Sequence, residues 1–339
     1  MTILVTGAGG FLGGRLVESL LRQGQRDLRL HYRRQPDQGA LQALQQRFPD
    51  ARLDPVAANL LHPAQLERLL NGIDLTIHAA AAKLGAAADI FLNTVVGTRN
   101  LLDAAAAGRC RRIALVSSFA VFRSANLPTG ALLDEHCTPE LDGLEKGSYG
   151  FAKVQQELLF REYQARHGFE YVILRPGVIY GPGDPSISTR VGLQVGRLFF
   201  SLGGRCALPL SYVENCADAI VAAALRAPSG AVFSVVDDEL PTCEGYLALY
   251  QQQVARLRAL TVPHWLFALG VRVMAMYHQR SQGQLPAVFT PYILRSMYRN
   301  FRYSNEALRL LGWRQSVSTH AGLQTTFAAL RAARERDPR

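Results

Sequence analysis

The sequence has 339 residues, 48% hydrophobic and 19% charged, which is enough for a large packed core and too apolar for a disordered chain. Its five cysteines form no CxxC pair, so we expect reduced thiols, no metal site and a cytoplasmic location. We expect neither a cleaved signal peptide nor a membrane span, because no apolar run reaches the length of about 18 residues that a span needs.

The net charge of +10 is unevenly distributed along the chain. Residues 251–339 contain 13 arginines and three acidic residues, whereas the first 250 residues contain 24 basic and 24 acidic ones. The excess of positive charge therefore belongs to the C-terminal part.

The N-terminal half alternates short β-branched runs with segments of helical apolar spacing. Because the connections are short, this alternation predicts right-handed βαβ units in an α/β fold with a doubly wound parallel sheet. The predicted strands cover residues 3–5, 28–32, 52–56, 75–78, 113–117 and 171–175, and the predicted helices cover 11–22, 41–48, 64–70, 88–107 and 148–167.

After Gly177 the alternation stops. Helices are predicted at 193–202, 217–226 and 244–257, a strand at 231–236 returns to the first sheet, and the last 90 residues are predicted to be mostly helical. We expect a first domain over residues 1–177 and a smaller, mainly helical, basic part over residues 178–339.

A glycine-rich segment, Thr6-Gly7-Ala8-Gly9-Gly10-Phe11-Leu12-Gly13, follows the first predicted strand and begins the first predicted helix. Glycines at such a turn allow a pyrophosphate to approach the free amides of the helix N-terminus. In this context the segment predicts dinucleotide binding.

The end of the second predicted strand bears on the choice of dinucleotide. An acidic residue there suits NAD, whereas arginine suits the 2′-phosphate of NADP. Here Arg33 and Arg34 follow the strand, and the next carboxylate is Asp37. Guanidinium groups match phosphate geometry, so we favour NADP(H) over NAD(H). The alternative is that both arginines are merely solvated surface charges.

Tyr149 and Lys153 lie four residues apart on a predicted helix and therefore share one face. A tyrosine of ordinary pKa is a poor acid–base catalyst at neutral pH, and a nearby cation lowers that pKa. Ser118, at the end of a predicted parallel strand, could hydrogen-bond a substrate carbonyl. The three side chains are candidates for a catalytic group.

Together these motifs resemble the extended short-chain dehydrogenase/reductase superfamily, over roughly residues 2–240. Segments 77–81, 93–102, 174–184 and 212–215 also match. The resemblance implies a Rossmann-type sheet, Tyr149 as the acid–base, Lys153 as its pKa partner and ribose ligand, and Ser118 as the group that polarises the carbonyl. The cofactor ligands it implies are Gly7, Gly10, Phe11, Leu12, Gly13, Asn59, Leu60, Ala79, Ala80, Asn93, Lys153, Pro176 and Val178.

Two departures bear on the branch of the family. Val178 stands where nucleotide-sugar epimerases and dehydratases usually have an asparagine, and Cys206–Val213 lacks their usual arginine. The pattern is nearer to 3β-hydroxysteroid dehydrogenases and dihydroflavonol-type reductases. It implies an NADP(H)-dependent ketoreductase or secondary-alcohol dehydrogenase acting on an apolar carbonyl. The alternatives are an epimerase or dehydratase that retains its cofactor, and a non-catalytic cofactor-binding module.

The basic C-terminal part contains an apolar segment at residues 263–277, which predicts a helix. One interpretation is that this helix closes the substrate pocket, with Met274 and Met276 filling uneven space. The other is peripheral contact of residues 263–302 with a membrane, possible in a cytoplasmic protein whose arginines meet anionic headgroups. We expect no nucleic-acid partner, and the resemblance implies a homodimer formed through residues 88–107 and 148–167.

Overall fold

The computed structural model describes residues 1–108, 110–141, 143–184, 187–280 and 290–336. Its centre is a seven-stranded parallel sheet of order β3-β2-β1-β4-β5-β7-β12, which confirms the α/β fold with a doubly wound sheet. The strands are β1 (Ile3–Thr6), β2 (Asp27–Tyr32), β3 (Arg52–Ala57), β4 (Leu75–His78), β5 (Arg112–Val116), β7 (Glu170–Pro176) and β12 (Val232–Val235).

Helices cover both faces of the sheet, each over its own buried apolar cluster. One face carries α1 (Phe11–Arg22), α2 (Gln38–Arg47) and α7 (Val213–Arg226), and the other carries α3 (Leu66–Leu70), α5 (Gly97–Gly108) and α6 (Gly147–His167). The helix predicted at 88–107 is a composite, because α4 (Ala87–Phe91) runs through a π-helical turn at Leu92–Val96 into α5.

The helix predicted at residues 193–202 is wrong. That segment forms β9 (Gly192–Val195) and β10 (Leu198–Ser201), an antiparallel pair that turns at Gly196, whose φ is +57°. A positive φ interrupts a right-handed helix and suits a tight turn. Likewise, α8 (Cys243–Gln253) ends before the predicted 257, because β13 (Arg258–Thr261) pairs with β10.

The remaining elements pack against the sheet and against one another, and α8 packs on the last helix around buried aromatic rings. No helix of the described residues is long and apolar enough to cross a bilayer. These elements are β6 (Leu132–Leu133), β8 (Val178–Tyr180), β11 (Leu210–Tyr212), α9 (His264–Arg280), α10 (Pro291–Met297), β14 (Arg302–Tyr303), α11 (Glu306–Leu310) and α12 (Thr319–Arg336).

Helix α9 does not bury the residues that were expected to fill a pocket. Met274 is 42% exposed and Met276 is 55% exposed, so neither fills uneven space beside a substrate. The helix packs through Phe267, Ala268 and Val271 against α10, and the rest of its apolar surface faces solvent. The pocket-closing interpretation is therefore wrong for the two methionines.

Candidate active site

A cavity of about 1010 Å³ opens at the carboxyl ends of the central strands. Parallel strands end at the same edge, so the loops that follow β1, β2, β3 and β4 meet there. Its walls are the glycine-rich turn, the segment after β2 and the residues after β3 and β4. Of the sequence-predicted residues, it brings together Gly7, Gly10, Arg33, Arg34, Asn59, Leu60, Ala79, Ala80 and Asn93.

The glycine-rich turn is tight enough to require glycine at two positions. Gly7 has a φ of +72°, and a Cβ on Gly13 would lie 1.9 Å from the carbonyl oxygen of Gly7. Helix α1 then begins at Phe11, after Gly10 as an N-cap without a side-chain cap. The first amides of α1 are therefore available to an anion, and the turn fits a dinucleotide pyrophosphate.

The segment after β2 supplies two of the three arginines that line the cavity, and the third is Arg47 of α2. Arg33 and Arg34 are exposed at its mouth, and neither forms a salt bridge with a carboxylate of the described residues. Asp37 instead caps α2, since its Oδ1 accepts hydrogen bonds from the amides of Gly39 and Ala40. The nearest carboxylate along the chain is thus engaged with a helix.

Asn59, after β3, is held by its own loop. Its side-chain oxygen accepts a hydrogen bond from the main-chain amide of Leu61 at 3.1 Å. Its own main-chain amide donates to Oε1 of Gln65 at 2.7 Å. The amides of Ala79 and Ala80 both donate to Thr6 Oγ1 at 3.1 Å, which ties the loop after β4 to the start of the glycine turn. The cavity wall is therefore braced between neighbouring strands.

Six predicted cofactor ligands are not part of the cavity wall: Phe11, Leu12, Gly13, Lys153, Pro176 and Val178. The last two lie at the junction of β7 and β8, where Val178 N donates to Pro209 O. Gly177 between them is required by close approach, because a Cβ there would lie 2.3 Å from the oxygen of Pro209. The junction is a rigid backbone crossing at the carboxyl end of β7.

Ser118, Tyr149 and Lys153 lie near the end of β5, where Tyr149 hydrogen-bonds Ser118 and Lys153 hydrogen-bonds the carbonyl of Val116, but the pKa of Tyr149 is raised and not lowered as the motif predicted. Ser118 follows β5, and the two other side chains lie one turn apart on α6. Burial raises the pKa of Tyr149, and a hydrogen bond with the Ser118 side chain opposes that shift. The neighbouring Ser117 is turned away, since its Oγ donates to Glu157 at 2.6 Å. Tyr149 is thus a protonated phenol at neutral pH and can donate a proton.

Lys153 is 3% exposed and lies beneath the tyrosine on α6. Its Nζ donates to the carbonyl of Val116 and to Oε1 of Gln156, both at 2.8 Å. Burial lowers its pKa to about 7, and the nearby carboxylate of Glu157 opposes the shift. The ammonium therefore titrates close to neutral pH.

Gln156 belongs to a buried hydrogen-bonded chain that sequence reasoning missed. Its Nε2 donates to Thr98 Oγ1 at 2.8 Å, Thr98 lies 2.9 Å from His78 Nε2, and His78 Nδ1 lies 2.8 Å from Thr6 Oγ1. Burial, with the charge of Lys153, lowers the pKa of His78 to about 3, so this imidazole is neutral. These hydrogen bonds connect the glycine turn to Lys153.

A second missed group is the buried pair of Glu157 and Arg175, which are 2% and 1% exposed. Two nearly parallel bonds of 3.0 and 2.8 Å join the guanidinium to the carboxylate. The spacing of Glu157 from Tyr149 and Lys153, eight and four residues, was the available signal, because those positions share a helix face.

The comparisons with known proteins agree with this geometry. The model of the NAD dependent epimerase/dehydratase family matches residues 3–235, and the chain belongs to this family. This confirms the resemblance read from the motifs.

The chain is also similar to two individual reductases and to one solved epimerase structure. Cinnamoyl-CoA reductase 1 of Oryza sativa subsp. japonica is 32% identical over 53% of this chain and 54% of that protein. The 4-hydroxy-2-methyl-3-oxo-4-farnesyl-3,4-dihydroquinoline-1-oxide ketoreductase of Stigmatella aurantiaca is 28% identical over 74% and 72%. The match thus spans about half the length of the rice reductase. The structure of UDP-glucuronic acid 4-epimerase from Bacillus cereus with NAD is 20% identical, with a TM-score of 0.72 over 98% and 99% of the chains, and is similar in fold.

Proposed function

We propose that this protein is an NADP(H)-dependent ketoreductase acting on an apolar carbonyl compound. The observation that carries the proposal is the convergence of Ser118, Tyr149 and Lys153 at the carboxyl edge that also holds the glycine-rich cavity. A proton donor and a hydride carrier at one edge is the arrangement that carbonyl reduction needs.

The residues of the chain have separate tasks in this reaction. Ser118 orients the substrate oxygen, and the Tyr149 phenol transfers its proton to that oxygen as negative charge develops there. Lys153 stabilises the resulting phenolate and holds the ribose with its remaining proton. The bound dinucleotide supplies the hydride. The Tyr149 phenol is protonated at neutral pH, so it can begin a reduction as the proton donor.

Aromatic rings lie next to Ser118, and we take them as support for an apolar substrate. Phe119, next to Ser118, stacks on Tyr303 with ring centroids 5.6 Å apart. Lys146 lies over the ring of Tyr292 at 5.0 Å, and burial lowers the pKa of this lysine to about 8. The ketoreductase relative is named for a farnesyl-bearing ring, which agrees with such a pocket. We propose that residues 178–339 form this substrate-binding part.

We propose NADP(H) rather than NAD(H) because Arg33 and Arg34 are cations at the mouth of the cavity, while Asp37 caps α2. A 2′-phosphate placed there would receive charge-assisted hydrogen bonds. Gly13, Asn59 and Ala80 would hold the rest of the dinucleotide.

We further propose a homodimer formed through residues 88–107 and 148–167. Phe91 and Leu92 are 36% and 43% exposed, and the Phe91 ring stacks on Phe151 of α6 at 6.1 Å. Such an apolar surface across two helices suits a self-complementary contact. Peripheral contact of residues 263–302 with a membrane is also proposed.

The proposed activity is tested with purified protein, NADPH and separate panels of apolar ketones and nucleotide sugars. We expect net loss of NADPH with a ketone, and we expect Tyr149→Phe to bind NADPH normally while losing at least about 100-fold in kcat. Tyr277→Phe, on the exposed face of α9, is the matched control.

Two outcomes would contradict the proposal. A nicotinamide retained through purification, with interconversion of a nucleotide sugar and no net reduction, identifies an epimerase or dehydratase. Intact NADPH binding without turnover on either panel identifies a non-catalytic binding module.

A further inference from the structure

Helix α9 turns an apolar stripe toward solvent. We call this stripe the α9 face. Its side chains recur every three to four residues, so they share one side of the helix. The members and their exposed fractions are Trp265 69%, Leu269 51%, Val273 53%, Met276 55% and Tyr277 58%.

The opposite side of α9 is buried against the body of the protein. Val271 is 2% exposed, and the Phe267 ring meets Tyr298 edge-on at 5.2 Å. The helix is thus fixed to the body by one side. Exposed apolar side chains of this size, contiguous along about three turns, mark an interaction surface in soluble proteins.

The charge around the α9 face indicates what covers it. Its flanking arginines are exposed, and none forms a salt bridge with a carboxylate of the described residues: Arg256, Arg258, Arg272, Arg280 and Arg295. The sequence has no acidic residue between Glu244 and Glu306. A surface that is both apolar and flanked by exposed arginines is complementary to an anionic lipid interface.

Two further arginines of the C-terminal part, Arg299 and Arg302, do not contribute to this basic surface. Arg299 donates to the carbonyl oxygens of Ala125 and Leu127, and Arg302 donates to the carbonyl oxygen of Gly130. These two guanidinium groups hold loops of the protein together. The basic surface is therefore confined to the surroundings of α9 and excludes the end of the 263–302 segment.

We propose that the α9 face docks on a bilayer containing anionic lipids, with α9 lying in the plane of the interface. Trp265 and Tyr277 lie twelve residues apart, about 18 Å along the axis, and both are side chains that prefer the headgroup level. Leu269, Val273 and Met276 lie between them and would enter the acyl boundary. The exposed arginines would meet the headgroup phosphates.

Tryptophan fluorescence tests the docking directly, because Trp265 is exposed and the other tryptophan, Trp313, is 4% exposed. The full chain is mixed with vesicles of phosphatidylcholine, with or without phosphatidylglycerol. We expect co-sedimentation and a blue shift of emission only with the anionic vesicles, both diminishing as salt is added. Trp265→Phe should remove the blue shift and keep most of the binding.

Paired variants separate the apolar and the charged contributions. Leu269→Ser with Val273→Ser should weaken vesicle binding about tenfold or more at any salt concentration. Arg272→Gln should weaken it less and reduce its salt dependence. The matched controls are Leu310→Ser and Arg205→Gln, whose parent side chains are 82% and 91% exposed elsewhere.

Absence of binding to anionic vesicles at low salt would overturn the proposal. So would self-association that the Leu269 and Val273 changes abolish, because a second copy of the chain would then cover the face. Neither readout requires turnover, so the membrane proposal and the reductase proposal fail separately.

Discussion

The Nζ atom of Lys153 lies 2.8 Å from Oε1 of Gln156, three residues further along α6. The amide cannot turn freely, because its Nε2 donates to Thr98 at 2.8 Å. The carbonyl of Val116 accepts a second proton of the ammonium. Two of three protons are thus directed to neutral oxygens, which leaves the third for the proposed contact with the tyrosine and the ribose. Gln156 is therefore a positioning residue for Lys153 in the proposed reaction.

Replacing this neutral partner by a carboxylate should shift the pH dependence of reduction. In the native protein burial lowers the pKa of Lys153 to about 7, so we expect loss of its proton above that value to lower kcat/KM on the alkaline side. In Gln156→Glu the opposite charge favours the ammonium, and we expect the alkaline limb to move upward by about one pH unit or more. The pH profile of kcat/KM measures this.

The control for that shift is Gln155→Glu, the same change one position earlier on α6 at a partly exposed site. We expect its profile to match that of the native enzyme. If both variants shift equally, the effect is long-range charge, and the positioning role of Gln156 is disproved. Comparison of urea midpoints shows whether either variant is destabilised.

The sequence was sufficient to predict those parts of the site whose structure depends on residues close together in the chain. Gly13 follows from the contact with Gly7 that only glycine permits, and the Tyr149–Lys153 spacing follows from one turn of a helix. Both are short-range constraints, so they leave a pattern in the chain itself.

The parts that were missed depend on contacts between distant segments. Thr6, His78, Thr98 and Gln156 come from four elements, and only the assembled sheet joins them. Strand β10 depends on β13, about 60 residues away in the chain, and its apolar residues alone resemble a buried helix. Register between remote strands is a tertiary property and leaves no periodic signal.

Removing the side chain of Arg33 or Arg34 should weaken the binding of NADPH much more than the binding of NADH. With Arg33→Ala or Arg34→Ala we expect the Kd of NADPH to rise about 10-fold to 100-fold, because a charge-assisted bond to phosphate is lost, while that of NADH changes little. Arg47→Ala, in the same cavity wall but paired with Glu18, is the control. Equal loss of both cofactors in all three variants would mean that the arginines act only through general charge.

His31 holds the glycine turn through one tautomer of its imidazole ring. Its Nδ1 accepts from the amide of Gly7 at 3.2 Å, so Nε2 carries the proton and donates to the carbonyl of Ala58 at 2.9 Å. We expect His31→Leu to weaken NADPH binding about fivefold, and His31→Asn, which keeps an acceptor near Gly7, to weaken it less. Fluorescence titration with NADPH measures both, with His320→Asn as an exposed control.

Acid should reproduce the effect of the leucine variant. Burial lowers the pKa of His31, so the ring stays neutral below its ordinary value of 6.5 and gains a proton only in more acidic solution. That proton would occupy Nδ1 and face the Gly7 amide, so affinity should fall there in the native protein. The same fall in His31→Asn would show that another group is responsible.

Removing one partner of the buried Glu157–Arg175 pair should destabilise the protein more than removing both. Glu157→Gln leaves a 1% exposed guanidinium without its carboxylate, and we expect the free energy of unfolding to drop by about 3 to 5 kcal/mol. Glu162→Gln, which breaks an exposed pair on the same helix, should cost no more than about 0.5 kcal/mol. Adding Arg175→Met to Glu157→Gln should recover part of the loss, because no buried charge then remains. Urea unfolding of the three variants measures the differences, and equal costs for Glu157→Gln and Glu162→Gln would contradict a desolvated ion pair.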